Sequence, residues 1–329
     1  MHPAFSVVFL TTLIGAGQGL FLALFTVESY AAFGLLPLQS SGFYALGSAV
    51  ALVLLMLGLV ASFFHLGHPE RAWRAATQWR TSWLSREVIV LPAFMGTVFL
   101  YGTAHWLGIN PELAHLPSGA PVNVTAVLGV IGTVLAFALF VCTGMIYACL
   151  RFLREWHTPL TVINYILLGG ASGFTLAAAL SATLAPGVMP ALAGWALIIT
   201  TLGLAGRLST LIRNARLKPK STLQSAIGIK HPKIVQKTQG MMGGAFNTRE
   251  FFHGKSAAFL RSLKWLFLLT AFVIPTGLLA IGLSWRADQA SSGVLVAAFV
   301  VQYLGLLAER WFFFAQANHP QNLYYQSVA

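Results

Sequence analysis

Long apolar runs alternate with short polar connections along the whole chain. Eight such runs recur, at about 4–26, 42–64, 87–107, 123–150, 160–184, 190–212, 260–284 and 293–315. Each is near the roughly 20 residues that a helix rising about 1.5 Å per residue needs to cross a hydrocarbon core. The runs are continuous and lack the every-other-residue polarity of a membrane barrel, so they predict helices, which satisfy their own backbone polar groups in lipid. The first run is longer than a signal-peptide core and has no small-residue cleavage pattern, so it is expected to stay as a span. The pattern as a whole predicts an all-α, polytopic integral membrane protein: one transmembrane domain over 1–329, eight transmembrane helices in a bundle.

The polar connections are unequal. Residues 185–189 and 285–292 read as turns, and 107–122 as a polar loop carrying Glu112 and His115. On the other side of the bundle lie 65–86 and 213–259. In the first, His68-Pro69-Glu70 reads as a helix start, with His68 as cap, proline at the first helical position and an acid in the first turn. Ala72, Trp73, Ala76 and Trp79 then recur opposite Arg71, Arg74 and Gln78, which fits a short helix at headgroup level. Ser85 is positioned to cap the third span. The 213–259 segment is too long for a turn and too rich in apolar residues for plain disorder.

Composition agrees with this picture: 57% of residues are hydrophobic, 9% are charged, and the mean hydropathy is +0.75. The formal net charge of +12 changes the picture only once it is placed. Of the 20 Lys and Arg residues, 17 fall on the side of the N-terminus, in its connections or, for Arg261 and Lys264, at the start of the seventh run, and Arg286 alone falls opposite. Arg207 and Arg310 lie within spans. Under the positive-inside rule both termini and the 65–86 and 213–259 connections face the cytoplasm of a bacterial inner membrane. The basicity is thus accounted for by topology and contact with membrane lipids, and nucleic acid is not needed as a partner. Cys142 and Cys149, both in the fourth run, are too few for an iron–sulfur cluster and read as small apolar fillers.

Candidate chemistry gathers at the basic face. Glu87 has two readings: a carboxylate favoured by a helix start, or an ionisable group at the mouth of the bundle that exchanges protons with a bound redox ligand. His65 ends the second run on the same face and titrates near neutrality, so it is expected to pair with Glu87 in proton handling. Arg207, Glu309 and Arg310 lie at similar depth, either as a structural ion-pair group or as part of a ligand site. A layer of titratable groups suits a quinone, whose two-electron reduction takes two protons and whose two carbonyls accept hydrogen bonds. Trp83, Tyr147 and Tyr165 are expected to wall such a pocket, with Arg71 and Arg86 at its edge. No haem is expected, since His65 and His105 fall on opposite faces. A transporter would place charges or broken helices near the midplane, whereas these residues gather at one face.

The stretch HLGHPERAWRA…TSWLSRE, from His65 to Glu87, resembles the signature of membrane anchor subunits of dimethyl sulfoxide reductase-like complexes, within the wider polysulfide-reductase membrane-subunit superfamily. The likeness extends in outline over the whole chain. It implies an anchor without a cofactor of its own, partnered by an iron–sulfur subunit with four [4Fe–4S] clusters and a molybdopterin catalytic subunit in a heterotrimer. It also implies a quinone (ubiquinone or menaquinone) site near the membrane surface, with His65 and Glu87 matching the family's quinol-site histidine and glutamate. Anchors of dimethyl sulfoxide reductases generally hold their partners on the periplasmic side. Here the His–Glu face is the basic one, which is more similar to membrane subunits of cytoplasmic sulfite dehydrogenases, a group that passes electrons from sulfite to quinone. The opposite direction, quinol oxidation for a sulfur-compound reductase, is the alternative. Docking of the iron–sulfur subunit is expected at Arg74 and Arg80 and, in the basic connection, at Ile234, Phe251 and Phe252.

The charge asymmetry gives a direct test of orientation. Reporter fusions at the C-terminus are expected to behave as cytoplasmic, and labelling of the 213–259 segment from the periplasm would reverse the assignment.

Overall fold

The computed structural model describes residues 1–115, 121–218, 221–235, 237, 252–285 and 289–324. Among them, eight helices are long and apolar enough to cross a membrane. They are α1 (Phe5–Ala32), α2 (Ser41–Phe63), α3 (Trp83–Leu107), α4 (Val124–Ala148), α5 (Pro159–Leu184), α6 (Met189–Ala215), α7 (Ala257–Ser284) and α8 (Gln289–Ala315). The helical bundle read from the apolar runs is the fold observed. One departure is a small antiparallel ribbon, β1 (Glu112–His115) on β2 (Pro121–Asn123), in the connection expected to be a loop.

Two boundaries differ from the hydropathy pattern in ways that matter. Helix α1 continues to Ala32, so Glu28 sits inside its last turns. Helix α3 begins at Trp83, where the Ser82 side chain accepts a hydrogen bond from the Ser85 amide at 3.4 Å. Ser85 is therefore not the cap expected from sequence. Its buried hydroxyl instead donates to the Ala75 carbonyl, tying α3 to the 3₁₀ helix Pro69–Gln78. Glu87 is consequently a full turn into α3, beyond the free amides of the helix start, and the capping account of that residue is displaced.

The helices are arranged around two central members. In α1 and α5, 72% of the apolar window is buried, against 28–39% in the other six, which show most of their surface to the surroundings. The reason is composition. Gly15 and Gly19 of α1 face Gly169 and Gly173 of α5 in the small-xxx-small spacing that lets membrane helices touch backbone to backbone. A Cβ at Gly19 would lie 2.2 Å from the Gly169 carbonyl oxygen, and one at Gly173 2.1 Å from the Gly19 carbonyl carbon. Around this crossing Phe21 packs edge-on against Phe94 and Tyr101 of α3, with centroids 5.4 and 5.3 Å apart.

Helix α7 is interrupted by a π turn at Leu269–Val273, just before Pro275. Proline removes the amide that would bond Ala271, and the buried Gln302 amide of α8 donates to the Ala271 carbonyl at 3.4 Å.

The basic connection is partly ordered. A one-turn helix, Leu223–Ile227, carries a reciprocal Thr222–Ser225 capping box. Ile234 is half-buried and Val235 is exposed. Phe252 does not present itself for docking as expected: it is 7% exposed and folded back beside Leu260 and Ala315. Phe251 lies outside the described residues, as do Met241, Met242 and Phe246.

The α1–α5 crossing leaves no room for a methyl group, so Gly19→Ala and Gly173→Ala are each expected to lower stability by about 1–3 kcal/mol, the usual cost of overpacking. Thermal unfolding of the purified protein in detergent would register this, with Gly34→Ala, at an open turn of φ 71°, as a contrasting backbone-only substitution.

Candidate functional site

Five helices, α1, α3, α4, α5 and α8, converge near the face that carries the N-terminus and enclose a small polar cavity. Helix α3 contributes Glu87, placed one turn inside by the Ser82 cap. The side chain is 9% exposed, and Thr143 of α4 donates a hydrogen bond to its Oε1. Thr11, Thr12 and Gln18 reach the cavity from α1, Tyr165 and Ser172 from α5, and Arg310 from α8. Leu10, Phe140, Leu168 and Leu306 close it. The volume is about 20 Å³, which admits one water at roughly 10–15 Å³ each but not an aromatic ring.

The charges beside this cavity are balanced locally, as charges within a span must be. Arg207 of α6 pairs with Glu309 of α8, Nε to Oε1 2.7 Å, with exposures of about 1% for both residues. Arg310 Nη2 is 3.7 Å from the other Glu309 oxygen. Its guanidinium lies 3.9 Å from the centre of the Tyr165 ring, a cation–π contact that holds the group on the cavity wall. The Tyr165 hydroxyl and Arg310 Nε have no hydrogen-bond partner among the described residues. The cavity thus combines a carboxyl held by a single hydroxyl, a guanidinium, and a phenol with hydrogen-bonding capacity to spare.

The residues singled out from sequence divide into two groups. Glu87 and Tyr165 share the cavity, while Arg207 and Glu309 join it through Arg310. Tyr147 stacks behind Tyr165, centroids 5.8 Å apart, within a cluster of Trp156, Phe313 and Phe314. The second group stays outside. Helix α2 ends at Phe63, so His65 is exposed, and no hydrogen bond or ion pair among the described residues joins it to Glu87. The expected His65–Glu87 pair is therefore replaced by the Thr143–Glu87 pair. Partial desolvation holds the His65 imidazole below its ordinary pKa.

Arg71 is exposed 3.6 Å from Glu70, and Arg86 is committed to the preceding loop, donating to the Trp79 and Arg80 carbonyls at 2.9 and 2.8 Å. Arg86 also covers the half-buried Trp83 ring at 4.2 Å, so Trp83 stands at the entrance to α3 and not on the cavity wall. Arg74 and Arg80 lie over their neighbours Trp73 and Trp79, both exposed.

Sequence reasoning missed Thr143, Gln18 and the α1 threonines, and it left Arg310 open between an ion-pair group and a ligand site. Uncharged hydroxyls inside apolar runs carry no signal of their own. Arg310 was legible as an intramembrane charge, but which wall it lines depends on helix rotation.

With this geometry in place, comparison with known proteins gives the chain a family. Residues 1–315 match the DMSO reductase anchor subunit (DmsC) family, and the chain belongs to it. It is also 60% identical to a sulfite dehydrogenase subunit of Allochromatium vinosum, an alignment of 329 residues that covers the whole of both chains. The chain is accordingly a membrane anchor, and the fold and family read from the sequence are the ones found.

Proposed function

We propose that this anchor receives electrons from an iron–sulfur subunit docked on its basic face and passes them to quinone, during sulfite oxidation by a molybdopterin subunit of the same complex. The observation that carries the reading is Glu87: a carboxyl buried in a span, with one hydroxyl donor, on a water-sized polar cavity that opposes it with Arg310. Reduction of quinone takes two electrons and two protons, giving a quinol with two hydroxyl groups. Electrons would come from the partner's clusters, four of the [4Fe–4S] type in a heterotrimer of this kind, and protons from this chain.

The cavity has room for a water and none for a ring. In this reading the quinone ring seats at the mouth, between the start of α3 and the 65–82 segment that Ser85 ties to it. Glu87 then delivers protons through a cavity water, and Arg310 opposes negative charge that develops on the ring oxygens. In this proposal His65, exposed beyond the end of α2, takes protons from the aqueous side and passes them inward through water, since it does not touch Glu87. Trp83 and Arg86 border the mouth; Tyr147 and the Arg207–Glu309 pair position Tyr165 and Arg310. The positive-inside assignment puts this face, both termini and the docked subunits in the cytoplasm, with the bundle in the inner membrane.

Docking is assigned to the exposed Arg–Trp pairs of the 69–80 segment, Arg74 with Trp73 and Arg80 with Trp79, and to Ile234 with its exposed neighbour Val235. Phe252 is buried within the chain and drops out of that surface. Charges at such a rim steer a partner, and apolar and aromatic groups fix it.

Glu87→Gln preserves size and hydrogen bonding but cannot carry a proton, so quinone-linked turnover of the assembled complex is expected to fall by roughly 10²-fold. Electron delivery to a soluble artificial acceptor should persist, because it bypasses the anchor. Unchanged quinone turnover in Glu87→Gln would overturn the assignment. For the dock, the double variant Arg74→Glu, Arg80→Glu and the pair Ile234→Ser, Val235→Ser should each release the soluble subunits from membranes at moderate salt with the anchor still inserted. Retention of the complete complex in both would move the dock elsewhere.

A further inference from the structure

A second buried polar group lies at the opposite face, formed by the ends of α1, α2, α3 and α4. Glu28 of α1 accepts hydrogen bonds from the Tyr101 hydroxyl at 2.6 Å and from the Thr125 hydroxyl. His105, 8% exposed, places Nε2 3.6 Å from the same carboxylate, beyond hydrogen-bond length, and Nε2 has no hydrogen-bond partner among the described residues. The Tyr44 ring stacks on the His105 ring, centroids 4.5 Å apart and planes 23° from parallel. None of these residues belongs to the Glu87 site.

This group forms one end of a cavity of about 700 Å³, within the roughly 300–1,000 Å³ of small-molecule sites. Glu28, Tyr44 and His105 line it together with Phe25 and Asn110, and its side is open past Val130 on the outward surface of α4. The walls limit what fits. No Lys or Arg lines the cavity, and a carboxylate stands at its end, so a phosphate-bearing head group is disfavoured. The stacked rings and Phe25 offer flat apolar faces. The polar end supplies an acceptor in Glu28 and donors in the Tyr44 hydroxyl and the Asn110 amide nitrogen, while His105 serves as either. The open side faces where lipid would lie, which suits a ligand with an apolar tail.

We propose that this cavity binds an aromatic ring bearing hydroxyl or oxo groups on an isoprenoid tail, a quinol-class ligand, at the face opposite Glu87 and without exchanging electrons with it. The ring lies against Tyr44 and His105, one hydroxyl donates to Glu28, and the tail leaves past Val130. The site is independent of the function proposed above, sharing no residue with it.

The test uses the full chain in phosphatidylcholine nanodiscs and a short-chain azido-ubiquinol as photolabel, with labelled peptides mapped by mass spectrometry. Label is expected within 25–33 and 104–110. Glu28→Gln and His105→Ala should each cut it about tenfold, as losing a hydrogen bond to a charged group does. Val130→Trp, an outward substitution that blocks the open side and leaves the polar group intact, should cut it similarly and serves if the first two variants fail to fold. Label near Glu87 should be unaffected by all three, so failure here is separable from failure of the proposed function. Absence of label from these segments would overturn the proposal, as would label that survives Glu28→Gln and Val130→Trp. So would displacement by phosphatidylethanolamine as effective as that by unlabelled ubiquinol, which would make the cavity a lipid site.

Discussion

The backbone contact of α1 with α5 at Gly15, Gly19, Gly169 and Gly173 is the constraint from which the other features follow. In lipid there is no hydrophobic force to drive two apolar helices together, so their association rests on packing, and backbone contact makes packing tight. With α1 and α5 pressed together as a core, the other helices pack around them and expose most of their own surface. The same crossing sets the site: Thr11, Thr12 and Gln18 on α1 and Tyr165 and Ser172 on α5 line one cavity because these two helices cannot separate there. A side chain in place of any of these glycines would widen a space that now has room for one water, so the smallness of the cavity and its fixed walls have a common origin.

The count of helices and their class were legible because few structures besides a membrane helix use unbroken runs of about 20 apolar residues. Where a span ends was less so, for a physical reason visible at Glu28. A carboxylate normally stops a membrane span, and the hydropathy pattern closes the first run before it. In the folded chain Tyr101, Thr125 and His105, from helices distant in sequence, surround that carboxylate, and α1 continues past it to Ala32. The limits at Glu87 are similar. Its ionisable character inside the start of a span was apparent, yet its partner is an uncharged threonine 56 residues away. His65 looked nearer because two runs end at the same depth. A pattern gives depth and cannot give the direction in which a side chain leaves its helix. Phe252 shows the converse error: an aromatic residue in a charged connection reads as available for a partner, whereas here the chain covers it.

Electrostatics distinguishes the two faces. At the basic face, Glu309 stands between Arg207 and Arg310, so the buried group carries one more positive than negative charge before Glu87 is counted. Desolvating these groups is costly, and pairs of this kind hold geometry more surely than they add stability. What they hold is Arg310, flat against Tyr165 on the cavity wall. At the other face the half-buried carboxylate Glu28 has no arginine beside it and accepts from the Tyr101 and Thr125 hydroxyls, with the His105 imidazole nearby. The first arrangement favours a ligand that gains negative charge as it reacts, and the second a neutral one with hydrogens to donate.

Between the two polar groups the contact of α1 with α3 is apolar. Phe21, Leu24 and Phe94, all fully buried, fill the layer that separates Gln18 from Glu28. The Gln18 amide is itself spent on the Ala136 carbonyl at 2.8 Å. A proton moves along hydrogen-bonding groups or water, and an aromatic layer of this kind offers neither. Under the proposed function, the protons for quinone must therefore enter from the face where electrons arrive, past His65 and the mouth at α3. Both halves of the reaction then draw on one side of the membrane. The anchor would link a soluble oxidation to the quinone pool without itself moving charge across the bilayer, which fits a bundle whose acidic and basic side chains, among the described residues, collect toward its two ends.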